Sequence, residues 1–283
     1  MLTPGEEEYI LKNAKVPEHI PALMAGIAQA DLFLIGPFVC LAKDNWLIFI
    51  GYPLEGNFSD DSFALALEKA MAQIQPFHTW FIAPKIPVSL VSKIKSHEDD
   101  FYYRLDLQNP KINRRLIRIA EKAAQDLTVS ASRLFSEEHL LLTKEFLQRQ
   151  ELPPRVHQLY LRMKDYLSFS KTSLLLSARD RKKRLSAYYI LELGAAKFLT
   201  YIVGCHSKES YVPHASDLLF YEMIETAQKH QKEYIHLGLG VNEGIARFKK
   251  KWGGLPFLKY EFGEISPMEK KSFSWINALA SRL

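Results

Sequence analysis

Cysteine is scarce in this chain of 283 residues, which has only Cys40 and Cys205. Two thiols cannot form a disulfide framework, and neither stands at a metal-ligand spacing, so no metal site is expected. Long hydrophobic runs are missing too. The longest nearly apolar stretch, Leu32 to Ala42, has eleven residues, about half of what a membrane-spanning helix needs. The opening residues MLTPGEEEYI are acidic where a secretory leader would be basic, and no apolar segment follows. The expectation is a cytoplasmic protein. No P-loop, dinucleotide glycine fingerprint, His-Glu-x-x-His or Gly-x-Ser-x-Gly occurs. Nucleotide hydrolysis, hydride transfer and serine-hydrolase chemistry therefore have no support.

What is present is an ordinary foldable composition, 47% apolar and 24% charged, long enough for one large domain or two smaller ones. The net charge of +5 conceals a step. Residues 1–108 carry 8 basic and 14 acidic side chains, and residues 109–283 carry 29 and 18. The halves thus stand near −6 and +11, which predicts an acidic unit over 1–108 and a basic unit over 109–283. The basic unit is the one expected to meet an anion.

The hydrophobic pattern predicts strands over Phe33–Ala42 and Trp46–Tyr52 around a turn at 43–45. A helix behind Ser59 ends before Pro76, and strands follow at Phe77–Ala83 and Phe101–Leu107. A basic helix with Arg114, Arg115 and Arg118 mostly off its apolar stripe comes next, then a strand from Leu127 and two helices across 136–167. Thr172–Ala178, Leu185–Leu193 and Phe198–Val203 read as an antiparallel meander. After them come a long helix, a strand over Tyr234–Leu239, a short helix behind Asn242 and a final strand over Phe257–Phe262. The order strand, helix, strand, helix, strand occurs once in each half.

The stretch 234–254, YIHLGLGVNEGIARFKKKWGG, carries the most specific pattern. With Leu218-Leu219 upstream, its Leu237-Gly238, Gly244-Ile245, Phe248-Lys249 and Trp252-Gly253 resemble the C-terminal domain of Fem-like peptidoglycan aminoacyltransferases. It is similar also to the wider GNAT-type acyltransferases and lysyl-phospholipid synthases. The resemblance spans about 185–263. It implies an α/β fold of two GNAT-like units in tandem, each a mixed, mostly antiparallel sheet flanked by helices. It also implies acyl or aminoacyl transfer from a thioester or ester donor to an amine or hydroxyl. The donor would be acyl-CoA, acyl carrier protein or aminoacyl-tRNA, with no tightly bound cofactor. The rival reading is a non-catalytic binding module for an anion or a partner protein, since fold does not imply function.

At about 100° per residue, Ile245, Phe248 and Trp252 form one stripe, and Lys249 is the lysine nearest to it. A partly desolvated ammonium there would act strongly on a carbonyl or phosphate, and the resemblance implies that this lysine stabilises charge during transfer. His236, on a strand face with Gly238, and Glu192, a carboxylate inside an apolar strand, are the candidate bases. Ser216, read as a helix cap or ligand contact, joins Asn242, Gly238 and Trp252 in the candidate donor-binding set. The turn Arg179–Arg184 is a candidate contact for tRNA or an anionic head group, with a solvated turn as the alternative. Acetyl-CoA-dependent GNAT enzymes usually place a glycine-rich phosphate loop before the long helix. Here that segment, 208–217, is KESYVPHASD, with no glycine and with Asp217 in the first turn. An aspartate there suits a helix and repels a phosphate.

Overall fold

The computed structural model describes residues 2–149, 152 and 154–265. They form two compact units, residues 2–102 with 256–265, and residues 103–255. The chain thus crosses between them twice, where the charge step indicated one crossing near 108.

Helix α1 (Pro4–Asn13) is opened by Thr3, whose hydroxyl accepts from the Glu6 amide while Glu6 accepts from the Thr3 amide. Helix α2 (Pro21–Ala28) follows a 3-10 turn. Then come β1 (Asp31–Ile35), β2 (Phe38–Lys43) and β3 (Trp46–Ile50). The run 33–42, expected as one strand, is a hairpin: Gly36 at φ 57° turns the chain, and Leu34 pairs with Val39. Both arms are apolar, so the alternation gave no sign of the break. Helix α3 (Asp60–Ile74) is capped by the Ser59 hydroxyl and ends at left-handed Gln75, just before Pro76. Strands β4 (His78–Ala83) and β5 (Ser96–Asp106) complete this stretch.

The basic helix is α4 (Arg114–Ala123), and β6 (Leu127–Ser132), α5 (Glu137–Gln148), α6 (Pro154–Leu161) and α7 (Met163–Phe169) follow it. The meander is β7 (Ser173–Asp180), β8 (Leu185–Glu192) and β9 (Phe198–His206), leading into α8 (Ala215–Lys229), β10 (Tyr234–Leu239), α9 (Glu243–Lys251) and β11 (Leu255–Glu264). In the first unit the strand order is β1-β2-β3-β4-β11-β5, and in the second it is β5-β10-β9-β8-β7-β6, residues 103–106 of β5 lying in the second unit. Each sheet is mixed and includes a parallel pair made by a strand–helix–strand crossover: β3–α3–β4 and β9–α8–β10. In the first core α3 places Phe63 against Phe38, Phe49 and Phe81. In the second, α4 and α8 cover Tyr189, Leu191, Leu199, Ile235 and Leu237.

The two parallel pairs differ in one respect that matters for function. All five residues of β3 pair with β4, from Trp46–His78 to Ile50–Ile82, and the Gly51 amide then donates to the Ile82 carbonyl at 2.7 Å. Between β9 and β10 the pairs are Phe198–Tyr234, Leu199–Ile235 and Thr200–His236, and there the described ladder ends. Both strands run on, to His206 and Leu239. On its other edge β9 carries an extra residue at Ile202, since Ile190 pairs with Val203 and Leu191 with Tyr201. A bulge of this kind bends the strand that bears it, here just past the last shared rung. The first unit is closed where the second opens.

The closure of the first unit has a testable root. A Cβ on Gly51 would stand 2.2 Å from the Phe63 ring and 2.8 Å from the Ile82 carbonyl oxygen. Gly51→Ala should therefore destabilise the protein by about 1–3 kcal/mol in urea unfolding, as overpacked cores do.

Candidate active site

Helix α9 is short and is positioned from both ends. Asn242 caps it, its side-chain oxygen accepting from the Ile245 amide at 2.9 Å. At the other end the Trp252 ring stacks on Phe220 of α8 at 4.8 Å, and Gly253 at φ 88° breaks the helix. Lys249 consequently faces inward and is only 4% exposed. Its Nζ donates to the Leu239 carbonyl and lies 5.7 Å from the centre of the Tyr103 ring. A carbonyl oxygen and an aromatic face are what a desolvated ammonium needs. Gly238, at φ 72°, has the place of its missing Cβ 4.0 Å from Nζ, so the backbone approaches the charge closely. The helical-wheel expectation for Lys249 describes this placement.

His236 is on the last shared rung. It is fully buried against Phe198, and its Nδ1 accepts from the Gly238 amide at 3.2 Å. That bond places the proton of the neutral ring on Nε2. Burial, and then the charge of Lys249, push its pKa down to about 3. A ring so weakly basic, with its Nδ1 lone pair engaged, is unsuited to act as the base for which the sequence proposed it.

Glu192 is brought close by register, since Glu192 pairs with Thr200 and Thr200 with His236. Its carboxylate, however, is fully buried and already serves three donors: the Tyr166 hydroxyl, the Ser170 hydroxyl at 2.9 Å and the Gly194 amide at 2.6 Å. It ties α7 to the sheet, and its burial rules out the solvated charge that the sequence offered as its alternative. Thr200, which the sequence did not single out, stands between Glu192 and His236 with its buried Oγ1 lacking a hydrogen-bond partner among the described residues. An isolated threonine in an apolar strand carries no signal of this.

The donor-binding set divides. Gly238 is at the site. Trp252 is fully buried in the core, and its indole N–H donates to Asp217 at 3.0 Å. Asn242 is occupied as a cap. Ser216 is not the cap of α8. That position is His214 at φ 66°, while the Ser216 carbonyl accepts from the Tyr189 hydroxyl at 2.9 Å.

Asp217, expected in the first turn of α8, is buried there and binds across to α9. Its Oδ1 accepts from Lys251 Nζ at 2.6 Å as well as from Trp252, and its Oδ2 accepts from His214 Nδ1 at 3.0 Å. Burial alone would raise its pKa, but the hydrogen bonds of Lys251 and His214, with the charge of Lys251, hold it below the ordinary 3.8. The helix terminus that could attract an external anion already holds an internal one. Lys251 is its counter-ion.

The turn 179–184 is less available to anions than its composition implied. Arg179 pairs with Glu138 at 2.6 Å, Arg181 with Asp126 at 2.9 Å and Arg184 with Asp180 at 2.7 Å. Helix α4 and its approach behave otherwise. Lys111, Arg114, Arg115, Arg118 and Lys122 are all exposed, and no ion pair engages them among the described residues. Among those residues there is also no group of three His, Cys, Asp or Glu placed to hold a metal ion, and no helix long and apolar enough to cross a membrane.

Mixed sheets flanked by helices, each with a parallel strand–helix–strand pair, make up a fold of the GNAT and Fem-like kind. The solved structures agree. The chain is similar to the L-PGS of Bacillus licheniformis (14% identity, 99% of this chain and 96% of that one, TM-score 0.60). It is also similar to FemX (11% identity, 92% and 96%, TM-score 0.64). A tandem GNAT protein from the clavulanic acid biosynthesis pathway matches as well (12% identity, 88% and 89%, TM-score 0.50). At these identities the likeness is one of fold. No protein-family description and no curated protein matches the sequence.

Two measurements check the anchoring roles. Glu192→Gln, which places an amide N–H₂ among three donors, should cost about 1–3 kcal/mol of stability. Asp217 has a depressed pKa when folded, so its contribution is present above pH 3.8 and lost as pH falls through the lower folded value. Asp217→Asn should therefore lower stability at neutral pH and flatten the decline of stability below about pH 4, both read from denaturation across pH.

Proposed function

We propose that the chain is an acyltransferase that works where β9 and β10 part. It would carry an acyl or aminoacyl group from an activated ester or thioester to an amine or hydroxyl. The observation that carries this reading is the end of the β9–β10 ladder at Thr200–His236 with the buried ammonium of Lys249 beside it. Beyond that rung the facing strand edges are no longer joined to each other, and an extended donor arm can add to such edges as a strand would. An ammonium in a poorly solvated site stabilises negative charge developing on a carbonyl oxygen far better than one in water.

The acceptor attacks the donor carbonyl carbon directly, the bond to the leaving oxygen or sulfur breaks, and the acceptor's proton passes on balance to the leaving group. A covalent enzyme intermediate is disfavoured. Cys205, in the second unit, is buried, and burial pushes its thiol up to about 12, so it supplies no thiolate.

The donor reading rests on two charge arrangements. Asp217 fills the start of α8 with negative charge, which opposes holding the pyrophosphate of an acyl-CoA there. The exposed cations of α4 and its approach favour a donor carried on a larger anion, either an acyl carrier protein or an aminoacyl-tRNA. A second reading, a binding module without chemistry, draws on His236 and Glu192, neither of which is available as a base. A thermal-shift screen against acetyl-CoA, acyl carrier protein and aminoacyl-tRNA separates the two. Stabilisation by one acyl donor supports the transferase, and stabilisation by any polyanion, abolished by salt, supports the module. With the donor in hand, Lys249→Met should lower kcat on the order of 10²–10³-fold with little change in KM, the range seen when one oxyanion donor is removed. Wild-type turnover in that variant would exclude Lys249 from the reaction.

A further inference from the structure

The connection from β10 to α9 is bent against the preference of its own sequence. Val241 has a φ of 60°, in the left-handed region that β-branched side chains avoid. The Asn242 amide donates to the Gly240 carbonyl, two residues back, at 2.7 Å. A three-residue turn closed this way around a positive φ is the strained hand of the γ-turn. Glycine is next to it in sequence at 240, yet the position that needs the unusual backbone holds valine.

The turn touches Lys249 from two directions. Leu239, just before Gly240, supplies the carbonyl that holds Nζ. Asn242, just after Val241, caps the helix that carries the lysine. The turn therefore sets both the root of the side chain, through α9, and the seat of its tip, through Leu239. Gly238, also at positive φ, completes a segment in which two residues of four are left-handed. Strained backbone persists where surrounding structure over-determines it, and it concentrates at functional sites.

We infer that Val241 is a positioning residue for Lys249: its strained turn aims the Leu239 carbonyl and the start of α9 so that the ammonium is held at the parting of β9 and β10. Valine suits that task better than glycine. Glycine would populate both signs of φ freely, whereas a stiff, β-branched residue forced into the left-handed well is confined on all sides. The inference rests on Lys249 being the cation of the proposed site, but its test needs no donor and can fail or succeed independently of any activity assay.

The experiment is trace acetylation of the folded, full-length protein with acetic anhydride, read lysine by lysine by peptide mass spectrometry, with thermal unfolding in parallel. Exposed Lys250, on the same helix, is the internal reference. In the wild type Lys249 should be acetylated far less than Lys250. Val241→Gly should raise the melting temperature by about 1–3 °C as strain is relieved and should increase Lys249 acetylation several-fold, leaving Lys250 unchanged. Val241→Asn keeps a residue that tolerates the left-handed region and should leave Lys249 as protected as in the wild type. Three results would each overturn the inference: Lys249 still protected in Val241→Gly, a lower melting temperature in that variant, or Lys249 as reactive in Val241→Asn as in Val241→Gly.

Discussion

A buried strand must satisfy each backbone amide and carbonyl, and between β9 and β10 the ladder does so for three residues before it ends. The rest of the second unit is arranged around that ending. Below it, His236 and Thr200 close the last rung, with Glu192 one strand further on. Beyond it, Gly238 takes a left-handed backbone angle and the carbonyl of Leu239 is directed to Lys249. The first unit shows the same crossover with the ladder carried to its end, where Phe63 fills the space beside Gly51. One architecture thus occurs in a sealed and an opened form, and the difference lies in a bulge and a few backbone angles.

The handling of buried charge follows from the same economy of partners. Lys251 and Asp217 neutralise each other and join α9 to α8, so that pair is structural. Lys249, two residues earlier on the same helix, donates to the Leu239 carbonyl and lies against the Tyr103 ring. Burial first, and then the charge of Lys249, depress the basicity of His236.

Local rules were enough for much of this in the sequence. Ser59 and Asn242 cap their helices, the two crossovers appear in order, and the rotation of 100° per residue placed Lys249 against the core. Each of these depends on neighbours within one or two turns. What could not be read depends on distant partners. The burial of Glu192 depends on Tyr166 and Ser170 from another element, and the partner of Lys251, Asp217, is 34 residues away. The arginines of the 179–184 turn read as a free patch because Glu138 and Asp126 lie outside the window. The strain at Val241 has no sequence signal, since the residue that usually marks such a conformation is its neighbour.

The return of β11 to the first unit bears on how the protein is made. Glu261 of β11 pairs with Ala83 of β4, so the sheet of the first unit cannot be completed until the residues between these strands have been synthesised. At roughly 5–20 residues per second, β4 waits on the order of ten seconds or more with one edge unpaired while the second unit is synthesised and folds. During that interval the nascent first unit offers a strand edge to any extended segment nearby, including the same edge on a neighbouring polysome-bound copy. Assembly order, as much as final stability, is therefore under constraint in this topology.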